Sequence, residues 1–426
     1  MTTLEAAGAR GATRGRIAWA FYDWANSAFA TLIVTFVFAA YFARAVVGDE
    51  VHGQQLWGTA ASISGLAVAI LAPILGAVAD AGGPRKPWLA AFTAIAAIGS
   101  ALLWGAEAAP AFALWAMAWY AIANLGIEFG AVFYNAMLPD LVPPTRIGRW
   151  SGWAWGLGYA GGIVSMVIAL VAFVLAQPPW FGLDATTFEH IRIVGPLTAV
   201  WLVVFALPLF LFTPDRDRKT TGTQQWVSGL RTLGATLAKV RQHGNLVRFL
   251  IANMIYNDGL VTVFIFGGIF AAGAFGMTLT QVLEFGILLN VTAGIGAAAF
   301  GWIDDWVGPK RAILVALVGL FVTAAGAVTT HSTAMFWAYG GCLGIFVGPV
   351  QAASRSLMSR IAPPDLRTEF FGLYALAGKV TAFMGPALVA AVTAATGSQR
   401  WGLSVLLAFF AVGGALLGTV KEPARG

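Results

Sequence analysis

The chain has 426 residues, of which 59% are apolar and only 10% charged, and a formal net charge of +6. A soluble domain carries roughly 25% charged residues, so this chain cannot clothe a water-facing surface, and most of its exterior must face lipid. A single cysteine, Cys342, excludes a disulfide framework, and the four histidines (His52, His190, His243, His331) are scattered through polar breaks, which excludes a Cys/His metal cluster.

Residues 1–15 are polar and read as an N-terminal tail. No small-residue cleavage site follows a short apolar core, so the first apolar run reads as a retained span rather than a signal peptide. A span needs about 20 largely apolar residues. Such runs fall at 17–43, 56–79, 87–106, 111–136, 150–176 and 192–213, then at 246–272, 280–303, 311–330, 334–358, 369–395 and 400–420. The expected division is a six-helix bundle over 16–213, a polar linker over 214–245, a second bundle over 246–420 and a tail over 421–426. The spacing of Leu230, Leu233 and Leu237 in the linker predicts a short surface helix.

Basic residues set the orientation. With the N-terminus in the cytoplasm, 21 of the 25 Lys and Arg fall on the cytoplasmic side; Arg44, Arg192 and Arg400 fall outside, and Lys379 lies within a span. The positive charge is therefore a product of topology, and nucleic acid is not an expected partner. Both termini are expected in the cytoplasm of a cell whose inner (plasma) membrane holds the chain.

The two halves repeat each other. Gly76, Asp80, Gly83, Pro84, Arg85 and Lys86 recur as Gly301, Asp305, Gly308, Pro309, Lys310 and Arg311, an offset of 225. Pro143, Pro144, Arg146, Arg149 and Gly152 follow the fourth span; Pro363, Pro364, Asp365, Arg367 and Gly372 follow the tenth, an offset of 220. Tyr22-Asp23 in the first span pairs with Tyr256-Asn257-Asp258 in the seventh. Two parallel six-helix repeats are a transporter architecture.

The doubled Gly-x-x-x-Asp-x-x-Gly-x-Arg/Lys loop resembles the signature of the major facilitator superfamily, and the resemblance covers the whole chain. Within that superfamily, Tyr22-Asp23-Trp24-Ala25-Asn26-Ser27 looks like the vacuole-effluxer branch, known in fungi for autophagy-linked amino-acid export. So do Trp155 through Gly162, Gln351 through Ser356, and Gly372 through Lys379. The resemblance implies an all-α membrane protein with twelve transmembrane helices in two pseudo-symmetric six-helix bundles, the major facilitator fold. Two departures stand against a multidrug antiporter: the stretch Ala121 to Glu128 has no arginine, and Gly156 to Gly162 has no proline.

Ionisable and amide groups inside a span are functional candidates by default. They sit on the first span (Tyr22, Asp23, Asn26), the fourth (Asn124, Glu128), the seventh (Tyr256, Asn257, Asp258), the tenth (Gln351, Arg355) and the eleventh (Lys379). The third, sixth, ninth and twelfth spans carry no charge or amide in their cores. In the resembled fold spans one, four, seven and ten surround a central cavity. Asp23, Ser27, Thr31 and Thr35 repeat every four residues and share one helix face, an expected polar stripe toward a wet interior. Lys379 lies deep in its span, suited either to binding a carboxylate or phosphate of a solute or to pairing with Glu128 or Asp258. At the span ends, Asp80 and Asp305 can cap neighbouring helix N-termini, where the dipole is positive. The resemblance implies that these contacts, with Arg85, Lys86, Arg146, Arg149, Lys310 and Arg311 around them, lock the halves shut on the inside.

The expected function is transport of a small polar solute, an amino acid or peptide, by alternating access, in a monomer that needs no cofactor and uses at most a coupling proton or cation. The alternatives are a lipid or lysolipid flippase of the same fold and, below it, a membrane enzyme acting on lipid-linked substrates. The short loops and the absence of a clustered acid or His site at the interface argue against an enzyme.

Overall fold

A computed structural model of the chain describes residues 3–219, 222–238 and 244–422. Two stretches of the expected linker, 220–221 and 239–243, and the last part of the C-terminal tail, lie outside the described residues. Among the described residues, twelve helices are long and apolar enough to cross a membrane: Ala12–Val47, His52–Gly82, Lys86–Gly105, Pro110–Leu141, Pro144–Val174, Glu189–Phe212, Gly244–Phe275, Glu284–Val307, Pro309–Thr329, Thr333–Ile361, Pro364–Thr396 and Gln399–Gly418. They are the first to twelfth spans below. The chain is a multi-pass, helical membrane protein. Helix is the required form here, because hydrocarbon offers the backbone no other hydrogen-bond partner. The apolar side chains left exposed run along helix faces, as Ile63, Leu66 and Ile70 do on the second span and Val315, Val318 and Val322 on the ninth. That is the surface lipid takes.

The described chain forms two compact units. The first comprises residues 1–72, 82–137 and 157–221. Here the helices approach through small residues. A Cβ on Gly126 would collide with Ala96, and one on Gly161 would press on Trp24. Without a hydrophobic drive between helices in lipid, such close backbone contact is what holds them. Asp23, Ser27 and Thr31 of the first span face Gly158 and Gly162 of the fifth. That stretch of the expected wet stripe is therefore partly a packing seam, with the Ser27 hydroxyl donating to the Asp23 carbonyl at 2.5 Å. The first span is also not one regular helix: it widens to π geometry over Phe29–Phe36 and Phe42–Val47.

The second unit comprises residues 73–81, 138–156 and 222–426. It thus holds the last six spans together with the ends of the second, fourth and fifth. Glycine again sets the approach: Gly296 lies against the Ile345 backbone, Gly348 against Ala293 and Gly152 against Ala297. The eleventh span is discontinuous. Helix Arg367–Val380 stops, a turn follows in which Met384 N–H donates to the Thr381 carbonyl at 2.7 Å, and helix Met384–Thr396 resumes. The linker carries a helix over Gly222–Ala238, whose Gln225 amide donates to the Val78 carbonyl at 3.0 Å and whose Gly229 rests on Val78.

Candidate functional site

Asp80 ends the second span and is 5% exposed. Its Oδ2 accepts the backbone N–H groups of Thr368 at 2.7 Å and Glu369 at 2.9 Å, and its Oδ1 accepts the Thr368 hydroxyl at 2.6 Å. These donors are the free amides of the first turn of helix Arg367–Val380. The carboxylate both satisfies them and meets the positive end of the helix dipole. Gly76, one turn earlier, is pressed against the Thr368 carbonyl, so a Cβ there would push the helix away.

Asp305 ends the eighth span and does the same for the fifth. Its Oδ1 accepts Gly148 N–H at 3.0 Å; its Oδ2 accepts Arg149 N–H at 3.3 Å and Arg149 Nε at 3.1 Å. Arg360 joins this cap: its Nη2 lies 3.1 Å from Asp304 Oδ1 and 3.6 Å from Asp305 Oδ1. Close by in the same unit, Arg355 donates from Nε to the Ser151 hydroxyl at 2.9 Å and from Nη2 to the Ser151 carbonyl at 2.7 Å, while Ser151 donates to the Ala352 carbonyl at 2.7 Å. Arg367 pairs with Asp140 at the end of the fourth span. Each of these contacts is a hydrogen bond or ion pair between helix ends, and none is covalent.

The other basic loop residues do different work. Arg85 is buried in the first unit, where its Nη1 donates to the Ala136 carbonyl at 2.7 Å. Asp215 caps the third span by accepting Arg85 N–H at 2.9 Å and Lys86 N–H at 2.8 Å, and Lys86 Nζ donates to the Thr213 carbonyl at 2.7 Å. Lys310 Nζ reaches the carbonyls of Gly418 and Val420, both at 2.7 Å, and so ties down the end of the twelfth span. Arg146 and Arg311 are exposed. Of the eight residues expected at a lock, Asp80, Asp305 and Arg149 make the two caps.

Among the polar residues of the first unit, Tyr22 is buried, stacks on Tyr134 and shares a 2.8 Å hydrogen bond with Thr93. Asp23 and Asn26 are half-buried, and the Asn26 Oδ1 has no hydrogen-bond partner. Asn124 donates to the Ser64 hydroxyl at 2.9 Å, and Glu128, one turn on, is half-buried.

In the second unit, Tyr256 repeats the bond of Tyr22, with a 2.7 Å contact to Ser354. Asp258 is 2% exposed and its Oδ1 accepts no hydrogen bond. The break in the eleventh span lies against this part of the seventh: Gly385 touches the Asp258 carbonyl and Thr262, and Gly378 faces the Asn257 amide. Lys379 is half-buried at the C-terminal end of helix Arg367–Val380, where the negative end of the helix dipole favours an ammonium. Half-buried Gln351 lies one turn before Arg355 on the tenth span. Asn257, Asp258, Gly378, Lys379 and the helix break thus come together. Arg355, expected beside them, is instead engaged with Ser151.

Sequence reading missed Thr368, Glu369, Asp304, Arg360, Arg367 and Asp140, which all stand at span ends. Only the repeat offers a signal for one of them, since Glu369 occupies the position equivalent to Arg149.

The family described as Vacuole effluxer Atg22 like matches residues 45–149 and 145–424. The uncharacterised major-facilitator-type transporter YxiO of Bacillus subtilis is 27% identical over 413 residues, covering 96% of this chain and 95% of that one. Autophagy-related protein 22-1 of Penicillium rubens is 26% identical over 276 residues, 59% of this chain and 45% of the fungal one. Among solved structures, the human organic anion transporter MFSD10 (TETRAN) shares the fold with a TM-score of 0.72 at 15% identity, covering 95% of this chain and 99% of that one. The major facilitator transporter FucP in its outward conformation gives 0.72 at 13% identity, covering 96% and 99%. The chain belongs to the Vacuole effluxer Atg22 like family and is a transporter of the major facilitator superfamily, not an enzyme.

Proposed function

We propose that this transporter moves a small polar solute, an amino acid or short peptide, across the plasma membrane by alternating access, with both termini in the cytoplasm. The observation that carries the reading is the pair of pseudo-symmetric caps, Asp80 on the eleventh span and Asp305 on the fifth. Each joins ends of spans from different halves of the repeat by bonds that water can replace. A cap of this kind is worth about 0.5–2 kcal/mol, enough to hold a closed state and small enough to release it. Asp258, Asn257 and Lys379 beside a broken span of the second unit supply both signs of charge, as a zwitterion requires. Structural neighbours include an organic anion transporter, a fucose:proton symporter and a proton:xylose symporter, whose cargoes are all polar or charged.

A second reading, a lysolipid flippase, draws on a small apolar cleft in the second unit, lined by Val263, Phe270, Phe285, Leu289, Phe336 and Leu406 among others. One screen separates the two: thermal stabilisation of the purified chain by amino acids, dipeptides and lysolipids, followed by flux of each hit in proteoliposomes. Stabilisation and flux with a zwitterionic amino acid or peptide support the first reading. Stabilisation by lysolipid alone overturns it.

A further inference from the structure

The two caps differ in charge at one equivalent position. Residues 149 and 369 stand 220 apart, at the same place in the repeat. Arg149 gives Asp305 both a backbone N–H and a guanidinium N–H. Glu369 gives Asp80 its backbone N–H but sets a second acid beside it. The Glu369 side chain is 0% exposed, and neither carboxyl oxygen has a hydrogen-bond partner.

Among the described residues, no basic side chain forms an ion pair with Glu369. Glu369 is faced by the Asp80 carboxylate from the second span and by the Thr236 hydroxyl from the linker helix. On its own helix, Arg367 is paired with Asp140. On the tenth span, Arg355 donates to Ser151 and Arg360 to Asp304. On the seventh span, Arg248 is exposed. A single helix N-terminus cannot carry two buried carboxylates, because an unpaired ion out of water costs far more than its neutralisation by a proton near neutral pH.

We propose that Glu369 is a proton-binding site of the Asp80 cap, so that the cap closes with a proton on the Glu369 carboxyl and releases it to the same side on opening. The inference rests on reading the caps as a gate. The sign follows from linkage: the closed form binds the proton more tightly, so acid favours closing and alkali favours opening. One proton changes the ratio by at most about tenfold per pH unit. The Asp305 cap needs no such proton, since Arg149 and Arg360 already face its acids.

The test is hydrogen exchange of the Thr368 and Glu369 amides in the full chain in nanodiscs, corrected for intrinsic exchange, between about pH 6 and pH 8. Protection in the wild type should fall as pH rises, by up to about tenfold per unit. Glu369→Gln should keep the acid-level protection at every pH. Arg149→Gln, at the equivalent position, should lower protection and keep the slope. A flat wild-type profile overturns the proposal, and this arm needs no variant. An unchanged slope in Glu369→Gln, or in Glu369→Met if the amide variant does not fold, also overturns it. Asp80→Asn separates the two levels. If it leaves protection unchanged, the gate reading itself fails; if it lowers protection while Glu369→Gln keeps the slope, only the proton site fails.

Discussion

Asp80 and Asp305 stand 225 residues apart and cap the same turn of two equivalent helices, each accepting two consecutive backbone N–H groups at 2.7–3.3 Å. The relationship predicts equivalent consequences when either acid is neutralised. Asp80→Asn keeps the shape and removes the charge that meets the helix dipole. The lost charge–dipole contact is worth about 0.3–2 kcal/mol, which is roughly a two- to thirtyfold shift toward the open form. The measurement is maleimide labelling of cysteines at the cytoplasmic ends of the spans. Labelling should rise in Asp80→Asn and in Asp305→Asn, with the thermal midpoint little changed. Unchanged labelling with full transport would reduce both acids to ordinary loop charge.

Glycine substitutions divide by location. Gly76 faces the first turn of the capped helix, whereas Gly296 faces the Ile345 backbone in the middle of the tenth span. Gly76→Ala should therefore favour the open gate and leave the fold standing. Gly296→Ala overpacks a helix seam and should cost about 1–3 kcal/mol of stability. Thermal midpoints and vestibule labelling of the two variants, compared side by side, check the distinction. Equal loss of stability would place Gly76 in the static core.

Topology has a direct test. In a Cys342→Ser background, cysteines at Ala109 and Ser398 should label with an impermeant reagent from outside the cell. One at Thr223 on the linker helix should label only after permeabilisation. Outside labelling at Thr223 would reverse the orientation.

Lys379 tests the binding chemistry. If its ammonium meets an anionic group of the solute, Lys379→Ala should cost roughly 2–5 kcal/mol of binding, about thirtyfold or more, while the fold survives. Lys379→Arg should restore little, because a planar fork does not replace a point charge on a flexible stem. Combining Lys379→Ala with Glu128→Gln or Asp258→Asn should not restore binding. Calorimetry with the solute found by screening, alongside thermal midpoints, decides the matter. Recovery of binding in a doubly neutral variant would make Lys379 half of a structural ion pair.

The spans were legible because hydrocarbon leaves only one solution for about 20 apolar residues, and the repeat was legible because its loops need glycine, proline and acid at fixed spacing. Asp80 and Asp305 could be read as caps, since an acid at a span end contributes little to orientation and so needs another reason. The partners could not be read. Arg85 and Lys86 were expected near Asp80, but Asp215 returns from the linker to hold them, and nothing local marks that return. Arg355 looked like a solute ligand by its depth, yet Ser151, 204 residues away, takes its guanidinium. Glu369 drew no notice, because one-dimensional hydropathy does not distinguish an acid at the span mouth from one enclosed by neighbouring helices. The π-helical stretches of the first span and the break after Val380 were also invisible, since both depend on neighbours packing against an otherwise ordinary apolar run.

The gate reading rests on the two caps holding a closed state that can open. Arg146 and Arg311 are exposed and suited to carry spin labels as Arg146→Cys and Arg311→Cys in the Cys342→Ser background. Double electron–electron resonance in nanodiscs reads the distance between them directly. The account predicts two distance populations, with the longer one growing in Asp80→Asn and in Asp305→Asn. A single distance, identical in the parent and in both variants, would contradict it.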